Sequence, residues 1–137
     1  MLSILLAVFL SVEPTQRAYD VTYINCYDGD TCEFNIHLGM GVVLAHQAIR
    51  FCDVNAPEIR PLITRVAGEK TRDALRTWIS TAKVVKVWVP QETNCSIGTC
   101  DKKEKYGRWL GYVIADGVNL NEKLISSGLA VSYLSCK

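Results

Sequence analysis

Three alternating runs early in the chain, one long amphipathic stretch after them and two further apolar runs near the end predict a mainly β domain with helices, of the α+β class. The order strand-strand-strand-helix-strand-strand-helix suits a five-stranded Greek-key barrel, the OB-fold. A length of 137 residues bounds the answer to one compact domain. With 49% hydrophobic and 21% charged residues the chain is neither disordered nor collagen-like, and a net charge of +1 argues against a protein that coats nucleic acid by cationic attraction alone.

Each element has a local cause. Residues 19–27 (YDVTYINCY) alternate and are rich in β-branched and aromatic side chains. Asp28-Gly29-Asp30 is a turn signal, and residues 31–38 (TCEFNIHL) alternate again. Gly39-Met40-Gly41 turns the chain into a third strand, residues 42–52 (VVLAHQAIRFC). Pro57 and Pro61 remove ladder donors and end the meander. A helix is predicted over residues 64–82, with Ala67, Ala74, Leu75, Trp78, Ile79 and Ala82 on its apolar face. Residues 84–89 (VVKVWV) and 109–115 (WLGYVIA) read as strands, with a polar loop over 91–105 between them. A short helix over 119–127 stops at Gly128, and 129–134 reads as an extended tail. Trp78, Trp88 and Trp109 read as core residues.

Residues 1–12 (MLSILLAVFLSV) have the length of a signal-peptide core and are too short to span a bilayer. They lack a positive residue near the start, and a buried first strand or a membrane-proximal anchor would also fit. Residues 1–18 are read as a signal peptide or hydrophobic N-terminal segment, and 19–137 as the folded domain. Six cysteines suit an oxidising compartment, so the expected location is secreted or cell-envelope, with no stable membrane association and a monomeric state. Cys26 and Cys32 are symmetric about Gly29 and would face each other across a hairpin. Cys95 and Cys100 bracket a short loop, which leaves Cys52 and Cys136 either paired or free. A zinc site is disfavoured, because neither His37 nor His46 has ligand spacing with a cysteine pair.

Charge divides along the chain. Residues 20–58 hold six acids and one base, whereas residues 60–108 hold eleven bases and five acids. The plainest reading is two differently decorated solvated faces; the other is a cation site beside an anion-binding surface. Three clusters bear on that choice. Asp28 and Asp30 set two hard oxygen ligands at one turn. Arg50 with Asn55, Ala56, Pro57 and Glu58 supplies a guanidinium for phosphate, a carboxamide oxygen and a carboxylate able to orient or deprotonate a water. Lys105-Tyr106-Gly107-Arg108 adds a second guanidinium beside an aromatic ring.

Taken in order with Ala115-Asp116-Gly117, Asn121-Glu122 and Gly128-Leu129-Ala130, these strings resemble the thermonuclease (staphylococcal nuclease-like) family over about residues 19–136. The resemblance implies an OB-fold phosphodiesterase that uses one Ca²⁺ ion, other divalent ions being possible. It implies hydrolysis of DNA and RNA to 3′-phosphate and 5′-hydroxyl ends. By the same resemblance Asp30, Asn55 and the Ala56 backbone carbonyl would be the metal ligands, with Asp28 behind them. Glu58 would act on the water, Arg50 and Arg108 on the scissile phosphate, and Lys105, Tyr106 and Tyr133 would border the nucleotide. Position 55 is Asn where the family reference has an aspartate, which removes one negative charge from the metal ligands. Asp53, two residues away on an extended strand, would share the face of Asn55 and compensate in part. The reference also continues into a further helix, whose packing the disulfides would replace. A catalytically inactive OB-fold domain of this family that binds single-stranded nucleic acid or a protein partner is the alternative, and a disulfide-stapled extracellular interaction module is a third reading.

Overall fold

The computed structural model describes residues 16–136. The hydrophobic N-terminal segment expected over 1–18 lies outside them as far as residue 15. The described residues form β1 (Gln16–Asp28), β2 (Thr31–Gly39), β3 (Val42–Phe51), β4 (Val54–Asn55), α1 (Leu62–Ser80), β5 (Val85–Pro90), β6 (Trp109–Ala115), β7 (Val118–Asn119), α2 (Leu120–Ser126) and β8 (Val131–Ser132).

β1, β2 and β3 form the antiparallel meander, β1 also pairs with β5, and β5 with β6. A parallel pairing of β3 with β6, Ile49 opposite Trp109 and Phe51 opposite Gly111, closes a ring of five strands. This is the OB-like α+β fold, with α1 between the third and fourth barrel strands. β1 serves two neighbours by bending: residues 16–20 pair with β5 and 20–28 with β2. Register shifts at Tyr23/Asn25 and Cys26/Asp28 supply the extra twist. The strand therefore already runs at Gln16, three residues before the sequence pattern signals it, because pairing with β5 rather than alternation holds that part.

Phe34, Ile49, Phe51, Val87, Val113 and Leu124 fill the core with no exposed surface. α1 runs two residues ahead of the predicted span and buries Gly68, Thr71, Leu75 and Ile79. The expected face included Ala67, which is exposed, and missed Gly68 and Thr71. The N-terminal half of the helix lies so close to the Asp28–Asp30 turn and the Pro57–Glu58 segment that small residues, Gly68 and Thr71, take the contact there, while Leu75 and Ile79 enter the core further along. None of the tryptophans is fully buried; Trp88 is exposed, and Trp78 and Trp109 only flank the core.

All three disulfides form: Cys26–Cys32 across the first hairpin, Cys95–Cys100 within the connection before β6, and Cys52–Cys136 between the end of β3 and the C-terminal tail. Such a set is compatible with an oxidising compartment. The tail is not a lone extended segment, since β8 pairs with β4, Asn55 opposite Val131. Among the described residues no helix is long and apolar enough to cross a membrane.

Candidate active site

The Asp28-Gly29-Asp30 turn brings its two acids together by a local bond: the Asp30 N–H donates to Asp28 Oδ1 at 3.0 Å. Gly29 is required there by space. A Cβ would stand 2.5 Å from Thr71 Cγ2 and 2.7 Å from Ala56 Cβ, so only glycine lets the turn press against α1 and the segment after β4. Gly68 does the same from the helix side, where a Cβ would meet the carbonyl oxygens of Pro57 at 2.7 Å and Glu58 at 3.0 Å. Thr64 Oγ1 then donates to the Glu58 carbonyl at 2.6 Å, tying the loop to the first turn of α1.

Asp30 is buried at the centre of the corner. Its Oδ2 accepts the Ala56 N–H at 3.0 Å and lies 3.5 Å from Arg50 Nη2. Burial pushes its carboxyl up to about 6, against the Ala56 N–H and Arg50, which hold it down, while Asp28 adds to the rise. Arg50 is anchored by two backbone carbonyls, Nη1 donating to Phe51 at 2.7 Å and Val54 at 3.0 Å. Thr31 links the two halves of the site: its hydroxyl donates to Asp30 Oδ1 at 3.4 Å and accepts from Arg108 Nη1 at 3.0 Å. Arg108 is held from the other side by Glu104, whose Oε1 accepts both its N–H at 2.9 Å and its Nε–H at 3.1 Å. Burial alone would raise the Glu104 carboxyl, but these bonds outweigh it and hold it at about 2.

Hydrogen bonds and ion pairs thus bring Asp28, Asp30, Arg50, Ala56 and Arg108 to one corner. Asn55 and Glu58 flank Ala56 and are exposed, and among the described residues neither side chain has a hydrogen-bond partner. Lys105 and Tyr106 are exposed on the turn before Arg108, with Lys105 Nζ 5.1 Å over the Tyr106 ring. Tyr133 is exposed too, and its N–H donates to the Asp53 carbonyl. Among the described residues no side-chain hydrogen bond or ion pair of these three joins them to Asp30, Arg50 or Arg108.

Asp53 does not share the face of Asn55. It adopts a left-handed φ of 63° and turns its carboxylate toward the tail. There Oδ2 accepts from the Tyr112 hydroxyl at 2.6 Å, and Oδ1 accepts from the N–H groups of Ser135 and Cys136. It organises the tail and cannot make up the charge that Asn55 lacks.

The donor chemistry of the corner fits one hard cation. Asp28, Asp30, Asn55 and the Ala56 carbonyl are all oxygen donors, as Ca²⁺ prefers. Among the described residues no three of His, Cys, Asp and Glu gather at any point. Thr31, Glu104, Gly29 and Gly68 also belong to the site; Gly29 sits in the turn signal Asp28-Gly29-Asp30, which Thr31 follows, whereas Glu104 and Gly68 carry no chemical signature in sequence. The one available signal is the four-residue step from Glu104 to Arg108, an ordinary charge pair.

The family model described as Staphylococcal nuclease homologue matches residues 48–137, a span that takes in Arg50, Asn55, Glu58, Arg108 and Tyr133 and starts after the Asp28–Asp30 turn. No curated protein matches the chain. A barrel closed by β3 and β6, a helix inserted between its third and fourth strands, and this match over most of the chain make it a member of the staphylococcal nuclease homologue family.

Proposed function

We propose that the protein is a secreted or envelope-exposed nuclease, a Ca²⁺-dependent phosphodiesterase that hydrolyses DNA and RNA to 3′-phosphate and 5′-hydroxyl ends. The observation that carries this reading is the continuous link Ala56–Asp30–Thr31–Arg108, with Arg50 on the same carboxylate. It joins a carboxylate suited to a cation with two guanidiniums suited to a phosphate.

A phosphodiester anion repels an incoming oxygen nucleophile, so groups that accept its growing charge lower the barrier. Arg50 and Arg108 bind the non-bridging oxygens and strengthen their hold as the fifth oxygen approaches. Glu58, exposed and unpaired among the described residues, takes a proton from the attacking water. The water oxygen bonds to phosphorus, the bond to the 5′ oxygen breaks, and that oxygen leaves with a proton from solvent. Asp30, Asn55 and the Ala56 carbonyl would hold the cation, with Asp28 behind Asp30. When bound, that ion supplies further charge stabilisation at the phosphate. Lys105, Tyr106 and Tyr133 border the nucleotide on either side. Residue 55, being Asn, favours one alternative, an inactive family domain that only binds single-stranded nucleic acid or a protein partner.

The test is cleavage of single-stranded DNA by the oxidised chain in Ca²⁺ and in EDTA, beside Glu58→Gln, with the new 5′ ends offered to polynucleotide kinase. Cutting that needs Ca²⁺, collapses in Glu58→Gln and leaves 5′ ends that accept label without phosphatase treatment is the expected result. Folded protein that cuts with none of Ca²⁺, Mg²⁺ or Mn²⁺ would leave the binding-domain reading in its place.

A further inference from the structure

A groove of about 280 Å³ opens between the strands of the barrel, walled by Tyr19, Ile36, Leu38, Leu44, Val89 and Trp109. It shares none of its lining with the Asp30 corner. A second hollow of about 270 Å³ shares Gly98, Asp101 and Trp109 with it and adds Lys103, so the two form one trough past the Trp109 ring. Leu38 and Leu44 line it and are partly exposed, 45% and 37%. The Cys95–Cys100 disulfide closes the loop that supplies Gly98 to the wall.

The charges at the rim identify the ligand. Arg17 stands 5.5 Å over the Tyr19 ring and Lys103 Nζ 4.0 Å over the Trp109 ring. The one acid in the lining, Asp101, is already an acceptor, its Oδ1 taking the Tyr19 hydroxyl at 2.7 Å and Gln91 Nε2 at 2.8 Å. A trough with apolar and aromatic walls and two cations at its edge matches a flat apolar group attached to anions. An unpaired nucleobase between its phosphates has that chemistry, its phosphates meeting the charges of Arg17 and Lys103. Along the chain the trough's residues adjoin those of the proposed phosphate site. Trp109 follows Arg108 in the chain, and Lys103, bridged to Trp109, precedes the Glu104 that holds Arg108.

We propose that this trough is a second nucleic-acid-binding site, which takes an unpaired base of a single strand whose backbone runs on from Arg108. The direction of the strand rests on the nuclease reading; the binding site itself does not. Duplex DNA keeps its bases stacked and cannot offer one without the cost of unstacking, so the trough takes its base from a single strand.

The test separates base from backbone. Fluorescence anisotropy in EDTA compares a short labelled oligothymidylate with an abasic oligonucleotide of the same length and charge, using the oxidised chain. The thymidylate binds about tenfold tighter, in line with one stacked base. Leu44→Asp, at an exposed position, removes that preference, as does Trp109→Leu, and Lys103→Glu weakens both oligonucleotides. Equal binding of the two by the wild type, or a preference left intact in Leu44→Asp, would overturn the proposal. Cleavage of a thymidine dinucleotide in Ca²⁺, too short to reach the trough, reports the Asp30 corner separately and is unchanged in Leu44→Asp. A wild type that prefers the thymidylate but cuts neither it nor the dinucleotide with any of Ca²⁺, Mg²⁺ or Mn²⁺ supports the trough and refutes the enzyme.

Discussion

Arg50 and Arg108 bring the same charge to one corner from unlike settings. Arg50 is packed in the barrel wall and fastened by carbonyl oxygens of Phe51 and Val54, which are neutral. Arg108 ends an exposed turn and is fastened by a carboxylate, that of Glu104, with Thr31 on its third side. Three of its five N–H donors are thereby engaged, and two remain for a phosphate. The buried arginine is part of the fold, whereas the surface arginine is presented by a device built from five consecutive residues. The same chemistry can thus be anchored by backbone or by a counter-charge, and the two anchors should fail differently.

The largest effects come from removing the arginines. Arg50→Ala and Arg108→Ala should each lower the cleavage rate by about 10²–10³, the usual effect of losing one charge-stabilising donor. The comparison sharpens in urea denaturation. Arg50→Ala leaves two carbonyls without their donor and should cost about 1–3 kcal/mol, while Arg108→Ala should stay within about 1 kcal/mol of the wild type. Equal stability losses would erase the distinction between the two anchors.

Gly68→Ala has an intermediate effect. Ala ordinarily stabilises a helix interior by about 1 kcal/mol over Gly. Here its Cβ would meet backbone oxygens of Pro57 and Glu58 at 2.7 and 3.0 Å, which cannot swing aside as a side chain can. Overpacking of about 1–3 kcal/mol should prevail, and the shift falls on Glu58, so thermal stability and turnover drop together. A stabilised variant of full activity would contradict this packing argument.

The smallest effect is a dependence on acid. The Glu104 carboxyl lies at about 2 in the folded protein against an ordinary 4.5. A lowered folded value means stability that is present above the ordinary value and lost as pH falls toward the folded one. Between pH of about 5 and about 2, Glu104→Gln should therefore lose less stability than the wild type in thermal denaturation. Parallel curves would show that the Arg108 turn is not held by this charge.

Much of the frame was legible because its signals are local. Alternation exposed the barrel strands, and the symmetry of Cys26 and Cys32 about Gly29 matched the register in which they pair. Two-residue strands such as β4 and β8 have no pattern to read; they exist because the Cys52–Cys136 bond and Asp53 hold the tail against the barrel. The buried line of α1 was misread because close approach selected Gly68 and Thr71, which a search for apolar residues passes over. Asp53 failed as an extended-strand residue because a left-handed φ at a non-glycine position leaves no mark in sequence. At the candidate site, the residues with reactive groups were legible by type. The positioning roles of Thr31 and Glu104 were not.

The central claim, that the Asp30–Asn55–Ala56 corner is a cation-dependent catalytic centre, is tested most directly by the Ca²⁺ dependence of cleavage in the wild type and in Asn55→Asp. Restoring a carboxylate at position 55 should lower the half-saturating Ca²⁺ concentration by about tenfold, since ligand charge helps to set Ca²⁺ affinity. A half-saturating concentration that does not move, or cleavage that persists in EDTA, would place the chemistry elsewhere.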